Sequence, residues 1–189
     1  PALFEKMAGG FSVAGLNILG ARAVTRKDGI AIDVFYVEEE KGGIVNDYKT
    51  RQLCESSIHA FLENETSPDK QIKEKRKKTD RNRLFSNEDR LGERIPPRVD
   101  VYHDVTLGRI IVEVRAADQV GLLHSIAKTI SKCGFSIQFA RVATEQGIAT
   151  DIFNIERATE DKDSSPSQFL ELREQLNDAL NAGKYYLEV

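Results

Sequence analysis

Residues 121–144, GLLHSIAKTISKCGFSIQFARVAT, repeat the pattern of residues 2–25, ALFEKMAGGFSVAGLNILGARAVT. Leu3, Ala8, Ser12, Gly15, Ile18, Ala21, Arg22 and Thr25 meet Leu122, Ala127, Ser131, Gly134, Ile137, Ala140, Arg141 and Thr144 without a gap. Once a residue is dropped opposite Asp28, Gly29, Ile30, Ala31, Asp33, Phe35 and Glu38 meet Gly147, Ile148, Ala149, Asp151, Phe153 and Glu156. Most of these positions are glycine, alanine or apolar, the residues that dictate backbone shape, so the chain is expected to carry one fold twice.

Each copy opens with apolar residues at helical spacing: Leu3, Phe4, Met7, Ala8 and Phe11 in the first, Leu122, Leu123, Ile126, Ala127 and Ile130 in the second. Gly15 and Gly134 follow where a helix C-cap needs a left-handed residue. Extended pairs come next, Ile18–Lys27 with Ile30–Glu38 and Ile137–Thr144 with Ile148–Glu156, joined through Asp28-Gly29 and Gln146-Gly147. A short glycine turn between apolar runs is a hairpin signal. Second helices are predicted over 46–63 and 167–181, the latter with Pro166 ahead of it and Gly183 behind it. Short strands at 98–103 and 185–189 are expected to complete the two units, and Arg109–Ala116 reads as the leading strand of the second.

The second unit is therefore β-α-β-β-α-β, a ferredoxin-like arrangement within an α+β fold. The first lacks its leading strand, which in this topology is central; the expectation is a fragment of something longer, cut on its N-terminal side. The domains are drawn as 1–64 plus 97–105, and 106–189. Between them, 65–96 concentrates Lys70, Lys73, Lys75, Arg76, Lys77, Lys78, Arg81 and Arg83 with few apolar residues, and its composition predicts a basic flexible linker.

Composition narrows the function. A net charge of -3 over 189 residues argues against a surface built wholly for nucleic acid. No apolar run approaches the roughly 20 residues that cross a bilayer. Cys54 and Cys133 form no CxxC and have no histidine pair nearby, so they read as buried thiols in a reducing, cytoplasmic compartment. The His103-Asp104 dipeptide lacks the convergent ligands of a metal site, and no phosphate loop or nucleophile elbow is recognisable. His124 lies opposite Glu5 of the first copy and is expected on an exposed helix face. No catalytic residue, metal or cofactor is expected.

Asp118-Gln119-Val120-Gly121-Leu122-Leu123, then Gly134-Phe135-Ser136-Ile137, Ala140-Arg141 and Gly147 to Phe153, resemble the ACT domain, a small module that binds amino acids in metabolic regulators. The first copy carries the same run from Pro1-Ala2-Leu3-Phe4 through Asn17-Ile18 to Phe35. Two such modules with a basic spacer are similar to the C-terminal regulatory region of the uridylyltransferase/uridylyl-removing enzymes. That resemblance implies a regulatory module of nitrogen metabolism that senses a small amino acid, glutamine, and acts on catalytic domains elsewhere in a longer chain. A homodimer is compatible with it.

The resemblance puts the ligand where the first strand turns into the first helix, at Asp118, Gln119, Val120, Gly121 and Leu122, and at Ala2 and Leu3 in the other copy. Asn17 and Ile18, with Ser136 and Ile137, take the start of the second strand. A helix N-terminus suits the ligand's carboxylate, Gly121 admits close approach, and Asp118 accepts from an α-amino group. Asp118 and Asn17 belong to different copies, so facing modules would build one site from complementary parts. Ala2 and Val120 depart from the family's glycine and proline, and Ser136 stands where Asn17 does. Two other readings stay open: a free-standing ACT-repeat interaction protein, and a nucleic-acid binder working through Lys70–Arg83.

Overall fold

A computed structural model of the chain describes residues 3–26, 28, 30–40, 42–63, 67–84, 95–106, 108–158 and 166–181. In chain order the elements are α1 (Leu3–Ala14), β1 (Leu16–Thr25), β2 (Ala31–Glu39), α2 (Tyr48–Glu63), α3 (Asp69–Leu84), β3 (Arg98–Asp104) and β4 (Arg109–Ala117). They continue as α4 (Leu122–Lys132), β5 (Phe135–Arg141), the short β6 (Thr144–Glu145), β7 (Ile148–Arg157) and α5 (Pro166–Asn181). The predicted helices, strands and hairpins agree with these bounds to within a few residues. The strand expected at 185–189 lies outside the described residues.

The repeat persists in the backbone. Gly15 and Gly134 both end their helices at φ 80°, the left-handed conformation that glycine adopts without steric cost. In β1–β2, Asn17 faces Glu38, Ile18 faces Val37, one residue bulges, and Ala21 faces Phe35. In β5–β7, Ser136 faces Glu156, Ile137 faces Ile155, the bulge recurs, and Ala140 faces Phe153. Both copies thus share pairing, register and irregularity. Gln146 and Gly147 have φ of 50° and 75°, the paired positive values that a tight type I′ hairpin requires.

All described strands lie in one antiparallel sheet of order β2-β1-β5-β7-β4-β3, with β6 beside β7. The copies join where Gly20, Ala21 and Arg22 of β1 pair with Arg141, Ala140 and Phe139 of β5. Inward residues of both copies form a single core: Phe4, Ala8, Ile18 and Ala21 pack with Val112, Val114, Ile126, Ile130, Phe135, Phe153, Leu172 and Leu176. Burying each of the larger aliphatic and aromatic side chains among them is worth about 1.5–3 kcal/mol. On the opposite face Tyr36, Tyr102 and Phe139 are exposed.

Three expectations need correction. Residues 97–105 do not complete the first unit: β3 runs antiparallel to β4 from Arg98↔Arg115 to Asp104↔Arg109, beside the second unit's leading strand. The cause is a seven-residue ladder combined with burial of Val99 and inward packing of Val101, since strand pattern alone does not choose a neighbour. The segment 65–96 is not linker throughout, because 69–84 form α3. Lysine, glutamine, glutamate and arginine are good helix formers, Ser67 and Pro68 precede the first turn, Asp69 supplies an acid there, and Ile72 is buried.

His124, expected on an exposed helix face, is 2% exposed. Its Nδ1 lies 2.8 Å from the Glu5 carbonyl and its Nε2 3.0 Å from the Asp69 carboxylate. α1 and α3 cover it from two sides. Lys128 also binds the Asp69 carboxylate.

Candidate functional site

Where the two copies meet, the start of β1, the end of β2, the β4–α4 loop and α3 enclose a cavity of about 390 Å³. The size suits a small metabolite. The β4–α4 loop is shaped by two backbone bonds, Asp118 N–H to the Gly147 carbonyl at 2.9 Å and Leu122 N–H to the Gln119 carbonyl at 3.0 Å. Gly121 then takes the N-cap position of α4 at φ 78° and offers no side-chain cap. The first turn of α4 therefore presents backbone N–H groups and the positive end of the helix dipole toward the loop.

The wall is polar and unevenly charged. Four carboxyl residues border it, Glu38, Glu40, Asp118 and Asp151, against the single ammonium of Lys75 among the described residues. Lys75 donates to the Val13 carbonyl at 3.3 Å; burial lowers its pKa, and Glu40 opposes that shift. Asp151 rises from β7 in line with Ala149, Phe153 and Ile155, all buried. Burial, reinforced by the charge of Asp118, pushes its carboxyl up to about 7. The Ala143 amide pulls weakly the other way without reaching hydrogen-bond geometry, so neither Asp151 oxygen has a partner.

Of the residues named from sequence, Asn17, Ile18, Asp118, Gln119, Val120, Gly121 and Leu122 border this cavity together. Asn17 and Asp118 thus reach it from different copies. Leu3 lies on α1 and Ser136 and Ile137 on β5, away from its lining, with Ile137 in the core. Ala2 lies outside the described residues. At Gly121 an added Cβ would fall inside the van der Waals shell of Ile72, so the close approach that this glycine permits is made by α3.

Sequence reasoning missed Lys75 and Asp151. The first was assigned to a linker. The second had a signal, because the repeat aligns Asp151 with Asp33, an acid at an inward strand position in both copies. Among the described residues no cluster of three or more His, Cys, Asp or Glu has the arrangement of a metal site. No described helix is long and apolar enough to cross a membrane.

The chain is similar to bifunctional uridylyltransferase/uridylyl-removing enzymes of several bacteria. It is 28% identical to that of Azospirillum brasilense over 181 residues, 94% of this chain and 18% of the relative. With that of Gluconobacter oxydans it shares 26% identity over 176 residues, 93% of this chain and 18% of the relative. With that of Caulobacter vibrioides it shares 31% over 157 residues, 82% of this chain and 16% of the relative. The chain therefore spans less than a fifth of the length of these relatives. No family model and no solved structure matches it.

Proposed function

We propose that this chain is the regulatory segment of a bifunctional uridylyltransferase/uridylyl-removing enzyme, built from two ACT-type units that bind a small amino acid, glutamine, between them. The observation that supports this reading is the cavity that Asn17 of one copy and Asp118 of the other both border. Its chemistry complements a zwitterion. The N-terminus of α4 and Lys75 suit a carboxylate, the surrounding carboxyl groups suit an ammonium, and the Asn17 amide suits a polar side chain.

Regulation then follows from linkage. A ligand held between two copies changes the free energy of one arrangement of the copies relative to another, and only that difference can pass to catalytic domains in the longer protein. Calorimetric titration of the chain with L-glutamine tests the reading: saturable heat at millimolar ligand or below supports it, and its absence in the chain and in the full-length enzyme retires it. Association with the catalytic domains is tested in the full-length enzyme by the response of its two activities to glutamine.

A further inference from the structure

Asp151 is a carboxyl that the fold buries without supplying a partner. It is 1% exposed, neither oxygen has a hydrogen bond, and it borders the cavity with Asp118. A buried polar group left unpaired destabilises a fold, and an aliphatic residue would continue the Ala149, Phe153, Ile155 stripe without that cost. Such a group has no hydrogen bond to lose when a donor enters beside it. The other charged residues bordering the cavity are Asp118 from the β4–α4 loop, Glu38 and Glu40 from the end of β2, and Lys75 from α3. Carboxyl groups outnumber the cation.

Resting on the amino-acid reading above, we propose that Asp151 is the charge-selecting residue of this cavity: it accepts the ligand's ammonium group and turns away a ligand that brings a second carboxylate. Glutamine and glutamate have nearly the same shape and differ by one charge, so an acidic floor separates them where packing cannot. The ammonium forms a charge-assisted bond with the Asp151 carboxylate. Any proton that Asp151 holds in the empty cavity passes to solvent as that bond forms. Burial and Asp118 keep the empty-site carboxyl titrating near pH 7, so binding at pH 6 releases a proton and binding at pH 8 does not.

Titration of the unaltered chain and of Asp151→Asn with L-glutamine and L-glutamate, at pH 6 and pH 8 in buffers of different ionisation enthalpy, tests this. The unaltered chain is expected to bind glutamine at least about tenfold more tightly than glutamate and to release on the order of one proton at pH 6. Asp151→Asn is expected to lose about tenfold in glutamine affinity, to narrow the ratio to about threefold, and to abolish proton release. A variant that keeps glutamine affinity and glutamate rejection within about twofold overturns the role of Asp151 while leaving the amino-acid reading intact. No heat with either ligand, from the unaltered chain and from the full-length enzyme, overturns both. Urea unfolding confirms that the variant is folded, and Asp151→Ser carries the same expectations should the asparagine variant not fold.

Discussion

Asp33 and Asp151 hold the same place in two copies of one pattern, yet they live in different surroundings. β7 lies between β5 and β4, whereas β2 has β1 on one side and no other described strand on the other. Asp33 is accordingly half-buried, its carboxyl raised by that burial, while Asp151 is almost wholly buried and raised to about 7. Phe35 and Phe153 repeat the contrast. Phe35 is partly buried against Phe4 and Phe11, with ring centroids 5.2 and 5.0 Å away, and Phe153 is wholly enclosed. Residue type is constant across each pair, so the neighbouring strand sets the physics.

The largest expected effect sharpens that contrast. Phe153→Ala should cost about 3–5 kcal/mol in urea unfolding, and Phe35→Ala about 1–2, because a half-buried ring leaves a smaller void. Equal losses would break the comparison. Replacing the acids should act in the opposite direction. A carboxyl whose folded pKa lies above its unfolded value penalises the folded state as pH rises from about 4 to 7, and the penalty is constant above that range.

Asp151→Asn should therefore stabilise the chain at pH 8, by at most on the order of 4 kcal/mol, and have no effect near pH 4. Asp33→Asn should give a smaller gain of the same sign. Urea midpoints across that range read both variants, and a flat pH response at Asp151 would contradict the burial described above.

Glycine at positive φ supplies the next test. Gly121→Ala should lose about 2–3 kcal/mol, combining left-handed strain with the clash against Ile72. Gly134→Ala, at similar φ but with open space around it, should lose about 1–2 kcal/mol. Thermal unfolding separates them. The smallest effect concerns the carboxylate that joins α3 to α4. Burial alone would raise Asp69, but hydrogen bonds from Lys128, Ser67 and His124 outweigh it and hold the group well below the usual carboxylate range. Asp69→Asn should cost about 1 kcal/mol at pH 7, since the group is half-exposed and screened, and the difference should shrink progressively as the medium is acidified below about pH 4 toward the lowered folded value.

Much of this architecture was legible in the sequence because local rules governed it. Gly15 and Gly134 marked helix ends, the apolar stripes of α1 and α4 marked their buried faces, and short glycine turns marked both hairpins. β3 was legible as a strand but not as the neighbour of β4, because alternation fixes a face and not a partner. α3 escaped because its sixteen residues hold only two aliphatic residues, Ile72 and Leu84. Its docking depends on tertiary bonds from long polar side chains, whose stems cover apolar surface. At the cavity, Asn17 and Asp118 were accessible through family resemblance and Asp151 through the repeat. Lys75 was accessible through neither, since its position follows from where α3 docks.

Two successive residues of α3 hold opposite sides of the gap between the copies. Lys75 reaches the Val13 carbonyl at the end of α1, and Arg76 grips the Val120 carbonyl at 2.8 and 3.2 Å through two nitrogens. Hydrogen bonds weaken beyond about 3.2–3.5 Å, so while both grips hold these carbonyls can separate only as far as the Lys75 and Arg76 side chains can follow them. The tether between the copies is also a caliper across them, and a parting of its jaws beyond the reach of those side chains must free one of two adjacent cations.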